Sequence, residues 1–401
     1  MRNIILTALD IGTYSIKGVC AQKNLSNGEI SVLAQSQFSC FGVRNGEVSH
    51  PEKVSEILKK LKEDLSQKAG VKIKDVLVNI GGGHLFSVTS EGVVSVSRAD
   101  QKISREDLSR VIKQARAINL PSNKEILETF PKEFIVDGEG GIKNPLGLQG
   151  MKLQTKVLLV CLFSPILENL EKAVSDADLE IVNVFSSPLA ASRACLTPQQ
   201  KELGVVLVDI GAGSTGTAVY EKGDLVDFSV FPIGSANITN DIAITQRTEI
   251  STAERVKREF ATLKKQNGRK KEKITIPEKS LEIPSSFLKK VVEARVSEIF
   301  SEVGRTVKKI SKDMPLPGGV VLTGGGSSLP GVVDFAKQKL KLPCRLCSSG
   351  EINQLDQPEF SVCAGLLLSS LENEDGAFLE GPKMKEKGRG FFRKIFKVFI
   401  P

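Results

Sequence analysis

The chain has 401 residues, 40% of them hydrophobic and 25% charged, an ordinary globular make-up with enough length for two or more cores. Its net charge is +8, but Lys383, Lys385, Lys387, Arg389, Arg393, Lys394 and Lys397 stand against Glu386 alone in residues 381–401, so +6 of it lies there and the rest of the chain is nearly neutral. That distribution excludes a protein that coats nucleic acid and moves the question of partners to one basic segment.

No run of about 18 apolar residues is present to cross a bilayer as a helix. "MRNIILTALDIG" leads straight into a strand pattern without a signal-peptide cleavage site. Seven scattered cysteines read as buried, reduced thiols, and "CRLC" (Cys344, Cys347) has the spacing of half a zinc site with no second pair to complete it.

In chain order, the first recognisable unit is "IILTALDIGTYSIKGVCA", an apolar strand, an Asp-Ile-Gly turn and a second strand, which predicts a β-hairpin with a carboxylate at its mouth. An amphipathic helix follows in "PEKVSEILKKLKEDLSQKAG". Residues 82–157 mix short strands with one helix, Ser104 to Ile118, whose Ser104 and Asp107 are spaced close to a capping box, and predict a small α+β subdomain. After the helical "SPILENLEKAVSDADL" the first grammar returns in "GVVLVDIGAGSTGTAVYEKGDLV", so the chain reads as an internal duplication of α/β layers. "STAERVKREFATLKKQNGRKKEKITIPEKS" gives a capped helix and then a basic loop, and "GGVVLTGGGSSLPGVVDFAKQKL" gives a third strand and glycine turn leading into a helix. Residues 372–390 are polar and glycine-bearing and read as a flexible linker.

The linker leads to "FFRKIFKVFI". At 100° per residue, Phe391, Phe392, Ile395, Phe396, Phe399 and Ile400 share one side, with Val398 at its edge, and Arg393, Lys394 and Lys397 share the other. An aromatic face opposite a cationic one predicts a short helix lying in an anionic bilayer surface; the plainer alternative is a helix docked on the protein's own core.

The glycine turns carry the chemistry. A nucleoside triphosphate needs converging backbone N–H donors and a Mg²⁺ held by carboxylates through water. Gly12, Thr13 and Tyr14 would supply donors from the first hairpin, with Lys17 neutralising charge, and Gly211, Gly213, Ser214 and Thr215 from the second. Asp10 and Asp209, at matching places, would hold the hydrated Mg²⁺, while Gly324, Gly325, Gly326 and Ser327 would open a helix at the adenine end. No Walker-type loop or hydrolytic triad competes.

Together the paired hairpins and the TGGG turn resemble the actin-like ATPase superfamily. "GGIKNPLGLQGMKLQTKV", "GSANITNDIAITQRTEISTAERVK" and the basic amphipathic segment narrow the resemblance, across nearly the whole chain, to the bacterial cell-division family FtsA. The resemblance implies an α/β fold of duplicated ribonuclease-H-type domains around a nucleotide cleft, with one small α+β subdomain relocated. The implied divisions are 1A (1–81, 158–200 and about 361–371), 1C (82–157), 2A (201–238 and 315–360) and 2B (239–314), then the linker and the membrane-targeting helix 391–401. It places Glu254 and Lys257 near the ribose. It also implies ATP and Mg²⁺ as cofactors, and as partners itself in a filament, an anionic membrane and the C-terminal peptide of a tubulin-like FtsZ protein near Arg255–Arg258 and Lys264–Lys271, with later division proteins possible additions. The implied location is the cytoplasmic face of the inner membrane at the division site.

Two departures bear on catalysis: Ser187 stands where many actin-like ATPases carry a water-positioning Glu, and Gly216 where an Asp often follows the second turn. Both imply slow or absent turnover. A PilM-type pilus scaffold and a small-molecule kinase of the same superfamily are the competing functions.

Overall fold

The computed structural model describes residues 3–264, 273–276, 281–311, 316–348 and 352–372. Two five-stranded sheets dominate it. In the first lobe β1 (Asn3–Ile11), β2 (Ser15–Asn24) and β3 (Ile30–Ser39) form an antiparallel meander, followed by the short pair β4 (Val43–Arg44) and β5 (Glu47–Val48) and by helix α1 (Pro51–Ala69). Helix α1 buries Val54, Leu58, Leu61 and Leu65, a stripe at helical spacing, on the sheet. It lies so close that a Cβ on Gly18 of β2 would stand 2.6 Å from the Leu65 side chain. Strand β6 (Asp75–Ile80) then adds parallel to β1.

The inserted unit follows. Strands β7 (Phe86–Ser95), β8 (Lys124–Val136), β9 (Glu139–Ile142) and β10 (Lys152–Phe163) form a sheet of order β7-β10-β8-β9, with α2 (Arg105–Ala115) against it. Ile103, Leu108, Val111, Ile112, Phe134, Val136 and Leu153 make its own small core. Helix α2 stops at Ala115, short of the Ile118 expected from sequence: after Arg116 the Ala117 N–H closes on Gln114 O (3.0 Å), three residues back, and the chain turns toward Pro121.

At its start the capping box is complete: Asp107 N donates to Ser104 Oγ (3.2 Å) and Ser104 N donates to Asp107 Oδ2 (2.9 Å). Asp107 is fully buried. Burial opposes its charge, but hydrogen bonds from Ser104, Arg110 and Ser97 overcome that and hold its carboxyl well below the usual range. A depressed carboxylate stabilises the fold above the unfolded value, near about 3.9, and loses that contribution as pH falls below it. Asp107→Ala should therefore cost about 2 kcal/mol in urea unfolding at pH 7, and the gap from the parent should shrink as pH is lowered from 5 to 2; a constant gap would show that the carboxylate's charge is not what stabilises the cap.

Helix α3 (Ser164–Ser175) returns the chain to the first sheet, where β11 (Glu180–Ser186) pairs parallel to β6 and completes the order β11-β6-β1-β2-β3. Helices α4 (Ser187–Cys195) and α5 (Pro198–Leu203) carry it into the second lobe. There β12 (Val205–Ile210), β13 (Thr215–Glu221) and β14 (Asp224–Phe231) repeat the antiparallel meander. Helices α6 (Ser235–Gln246) and α7 (Ile250–Phe260), the pair β15 (Lys273–Ile276) and β16 (Leu281–Pro284), and the long α8 (Ser285–Ser311) follow. Strand β17 (Val320–Thr323), helix α9 (Val332–Leu340) and strand β18 (Cys344–Leu346) close the order β14-β13-β12-β17-β18. Helix α10 (Ser361–Glu372) then returns to the first lobe beside α4. In each sheet three antiparallel strands meet two parallel ones, the same wiring twice, and the extra structure enters at different points: between β6 and β11 in one lobe, between β14 and β17 in the other. The insert also touches the second lobe, through Ser87 Oγ donating to Phe228 O (3.1 Å), Lys132 Nζ to Val226 O (3.2 Å) and a Lys143–Asp224 ion pair.

Two expectations are corrected. The TGGG turn does not open a helix: Gly325–Ser328 is a single 3₁₀ turn, and α9 begins at Val332, after Pro330 and a left-handed Gly331. Nor are all the cysteines reduced. Cys195 and Cys347 form a disulfide across 152 residues, Cα atoms 5.1 Å apart, while Cys20, Cys40, Cys161, Cys344 and Cys363 are buried thiols. Among the described residues no helix is long and apolar enough to cross a membrane. Residues 373–401, most of the linker and all of the basic amphipathic segment, lie outside the described residues.

Candidate functional site

The β1–β2 and β12–β13 turns meet head to head across a cleft of about 360 Å³. They are built alike: Gly12 N donates to Ser15 O (3.2 Å) and Gly211 N to Ser214 O (2.9 Å). They also touch. A Cβ on Gly213 would stand 2.6 Å from Thr13 Oγ1 and 2.7 Å from Asn45 Cα, so glycine is what lets the second turn reach the first. Thr13 Oγ1 accepts from Gly46 N (2.8 Å), which fixes the loop after β4 at the same place.

Asp10 and Asp209 face each other on the cleft floor in unequal settings. Asp10 is held on both oxygens, by Lys17 Nζ (2.9 Å) and by Asn79 Nδ2 (2.8 Å). Burial works against the Lys17 charge, but Asp10 more than offsets it and raises the ammonium's pKa. Lys17 therefore does point into the cleft, yet its charge is committed to Asp10. The Asp209 carboxylate makes no hydrogen bond or ion pair among the described residues. Burial first, and then the neighbouring Asp10 charge, push its carboxyl up to about 7, with Lys17 opposing. An unpaired carboxylate beside a second one is a setting that a hydrated divalent cation fits. Asp209 and Asp10 would hold it through water, and the cation would supply charge neutralisation to a polyphosphate. Gly324 brings the TGGG turn against this carboxylate, since its φ is 79° and a Cβ would lie 2.3 Å from Asp209 Oδ1.

Glu254 and Lys257 lie one helical turn apart on α7 and bond each other (2.7 Å) at the cleft wall. Lys257 Nζ also donates to Thr239 Oγ1 (2.9 Å) and Ser235 O (3.3 Å), tying α7 to the start of α6. Tyr14, Gly213, Ser214, Gly325 and Gly326 line the cleft. Thr215 and Ser327 do not: the Thr215 hydroxyl donates to Ile233 O and the Ser327 hydroxyl to Gly324 O, and both are almost fully buried. Arg258 Nη1 donates to Tyr14 Oη (3.1 Å) and bridges the mouth between the lobes.

Ser187 stands at the cleft end of α4, accepting from Asn79 Nδ2 (2.9 Å) and donating to Ile80 O (3.2 Å). The glycine at 216 has a packing reason, because any Cβ there would fall 2.1 Å from the Pro188 ring. Sequence reasoning missed Asn79, which joins Asp10 to Ser187 and also accepts from Ile11 N (2.6 Å). The signal was present: β6 lies beside β1 as β17 lies beside β12, so "VNIGGG" is the first-lobe counterpart of "VLTGGG".

A duplicated sheet with glycine turns facing across a cleft defines an actin-like protein, and solved structures agree. The chain matches a PilM–PilN type IV pilus biogenesis complex with a TM-score of 0.67 at 18% identity, covering 92% of this chain and 99% of that one. It matches MreB5 of Spiroplasma citri bound to ADP with a TM-score of 0.53 at 15% identity, covering 93% and 99%. The family model for cell division protein FtsA matches residues 206–365, and that for the SHS2 domain inserted in FtsA matches residues 82–161. Curated relatives named cell division protein FtsA include those of Neisseria meningitidis serogroup B, 31% identical over 97% of this chain and 96% of theirs, and of Pseudomonas aeruginosa, 29% identical over 96% and 93%. The chain belongs to the FtsA cell-division family.

Proposed function

We propose that the cleft binds Mg²⁺·ATP and that the chain is a nucleotide-dependent, membrane-tethered division protein that polymerises and anchors an FtsZ-like partner. The observation that carries the nucleotide reading is the unpaired Asp209 facing Asp10 between two matched glycine turns. The ADP-bound MreB5 neighbour, alike in fold, supports it. The divisions 1A, 1C, 2A and 2B are proposed with the boundaries given from sequence. Hydrolysis is slow in this reading, since a serine hydroxyl already bonded to Asn79 and Ile80 polarises water poorly. Sustained phosphate release should stay below about 1 per second, the low end of ordinary turnover; faster release would refute the assignment of Ser187.

Membrane tethering rests on the sequence of residues 391–400, outside the described residues. A helix of ten residues is marginal in water, so single tails bind weakly and an array on a polymer binds through avidity. The partner peptide is assigned to the basic stretch at Arg255, Arg258 and Lys264, with residues 265–271 outside the described set. A PilM-type scaffold would share the fold but not this tail, and among the described residues the cleft holds no Asp beyond Asp10 and Asp209 to serve as a kinase's catalytic base.

The test is co-sedimentation with anionic liposomes, with and without ATP, comparing the full chain with one ending at Gly390. The full chain should pellet more with ATP and the shortened one in neither case. Phe396→Glu should lower the bound fraction about tenfold or more, because burying a phenylalanine contributes about 1.5–3 kcal/mol, whereas Lys394→Glu should stay bound at low salt. Equal pelleting of the shortened and full chains would sink the tethering reading.

A further inference from the structure

Helix α4 is the shaft between the two ends of the lobe interface. Its first residue, Ser187, touches the Asn79–Asp10 network at the cleft, and its last, Cys195, is bonded to Cys347 at the far side. Cys347 follows β18 at the edge of the second-lobe sheet, and its N–H donates to Leu322 O (2.8 Å) on β17, the strand that ends at the Thr323–Gly324 turn beside Asp209. Arg345 adds a second tie, donating from Nη2 to Cys195 O and Gln200 Oε1, both at 2.9 Å. The bond thus fastens the crossing helix to the second-lobe sheet. It is made in a molecule whose lobes touch across the cleft: Thr13 meets Gly213, and Arg258 meets Tyr14 at the mouth.

We propose that Cys195 and Cys347 form a redox-modification site, whose oxidation by a low-molecular-weight disulfide locks the lobes in the closed arrangement. One thiolate of the pair attacks a sulfur of the oxidant, whose S–S bond breaks and releases one thiol. The second cysteine attacks the resulting mixed disulfide and expels the other. The protein loses two hydrogens and two electrons, and the oxidant leaves as two thiols. Cys195 and Cys347 are both buried in the bonded state, 2% and 6% exposed. Reduction therefore requires the lobes to part, and a ligand that holds them together should protect the bond. The remaining thiols do not compete. Burial raises all five, with Cys40, Cys161 and the nearby Cys344 pushed up to about 11, so they stay protonated. On the cytoplasmic side that the family resemblance implies, disulfides are transient and regulatory rather than structural, which suits a switch.

The proposal rests on the nucleotide reading for its ligand arm but not for the lock itself. The full chain is equilibrated with glutathione disulfide or with dithiothreitol. Peptide mapping of each form, the dissociation rate of a fluorescent ATP analogue with Mg²⁺, and small-angle X-ray scattering of the nucleotide-free chain are then measured. Expected are a Cys195–Cys347 crosslinked peptide in the oxidised form and a more compact nucleotide-free particle. Dissociation should be slower by about 5-fold or more, the low end of measured couplings between sites. By reciprocity ATP should shift the dithiol–disulfide equilibrium in a glutathione buffer toward the bonded form, by the factor by which oxidation tightens ATP binding. Cys347→Ser should behave as the reduced parent under both conditions; should that variant fold poorly, the parent's own two redox forms decide. Absence of the crosslinked peptide, or a crosslinked form with scattering and dissociation unchanged from the reduced one, overturns the proposal. If neither form binds the analogue, the nucleotide reading fails, and the scattering difference alone upholds or overturns the lock.

Discussion

Asp209→Asn is expected to weaken Mg²⁺-dependent ATP binding about 10- to 100-fold, the usual effect of losing a group that holds a metal through its water shell. The same change should make the nucleotide-free chain more stable at pH 8. The reason is the setting of the carboxylate, which burial and Asp10 push up to about 7, with Lys17 opposing. Between the ordinary aspartate value near 3.9 and about 7, the folded chain keeps a proton that the unfolded chain has lost. Stability therefore falls as pH rises through that window, and the full penalty, at most about 4 kcal/mol, stands above it. Asparagine keeps the shape and carries no charge, so it removes the penalty. At a fixed concentration Mg²⁺·ATP should raise the melting temperature of the parent more than that of the variant. Calorimetry showing unchanged affinity would remove Asp209 from the site, and a variant less stable than the parent at pH 8 would show that the carboxylate has a structural partner.

What could be read from sequence follows from how local each feature is. The two Asp-Ile-Gly turns were legible because a hairpin writes its strands and its turn in consecutive residues, and because the duplication repeats the text. The Ser104–Asp107 cap was legible because both partners lie within one turn of chain. Asn79 was not singled out, since its importance comes from β6 lying beside β1, a pairing across 68 residues. The disulfide was hidden for the same reason: nothing near Cys195 in sequence points to Cys347, and the CRLC spacing drew attention to Cys344, whose thiol donates to Leu342 O instead (3.4 Å). Thr215, expected as a backbone donor in the second turn, and Ser327, expected in the glycine turn, do not line the cleft, and their hydroxyls turn away to Ile233 O and Gly324 O. Residue type and spacing find turns and caps; which side chains converge is decided by sheet order.

The packing of the crossing helix shows how strongly geometry can override propensity. Alanine normally improves a helix relative to glycine by about 1 kcal/mol. Gly304 in the middle of α8 obeys that rule: its nearest neighbour to a new Cβ is Leu340 Cδ2 at 3.7 Å, an ordinary contact, so Gly304→Ala should stabilise the chain by about that amount. Gly365 in α10 is the opposite case. A Cβ there would lie 1.7 Å from Ala190 O and 2.4 Å from its carbonyl carbon, both on the backbone of α4, which has no rotamer to change. Helix α4 is bounded on its other side as well, where Pro188 covers Gly216. Gly365→Ala must therefore push the helices apart. Helix α10 carries Ser361, which accepts from Thr323 Oγ1 (2.8 Å) behind the TGGG turn, and Cys363, whose thiol lies 3.9 Å from Lys17 O, so the displacement reaches both walls of the cleft. The cost should reach or pass about 3 kcal/mol, the upper end of ordinary overpacking. Urea unfolding of the two variants beside the parent should move the midpoints in opposite directions. A Gly365→Ala chain as stable as the parent would mean that α4 and α10 do not pack backbone to backbone, and the account of α4 as a closely held shaft between cleft and disulfide would fall with it.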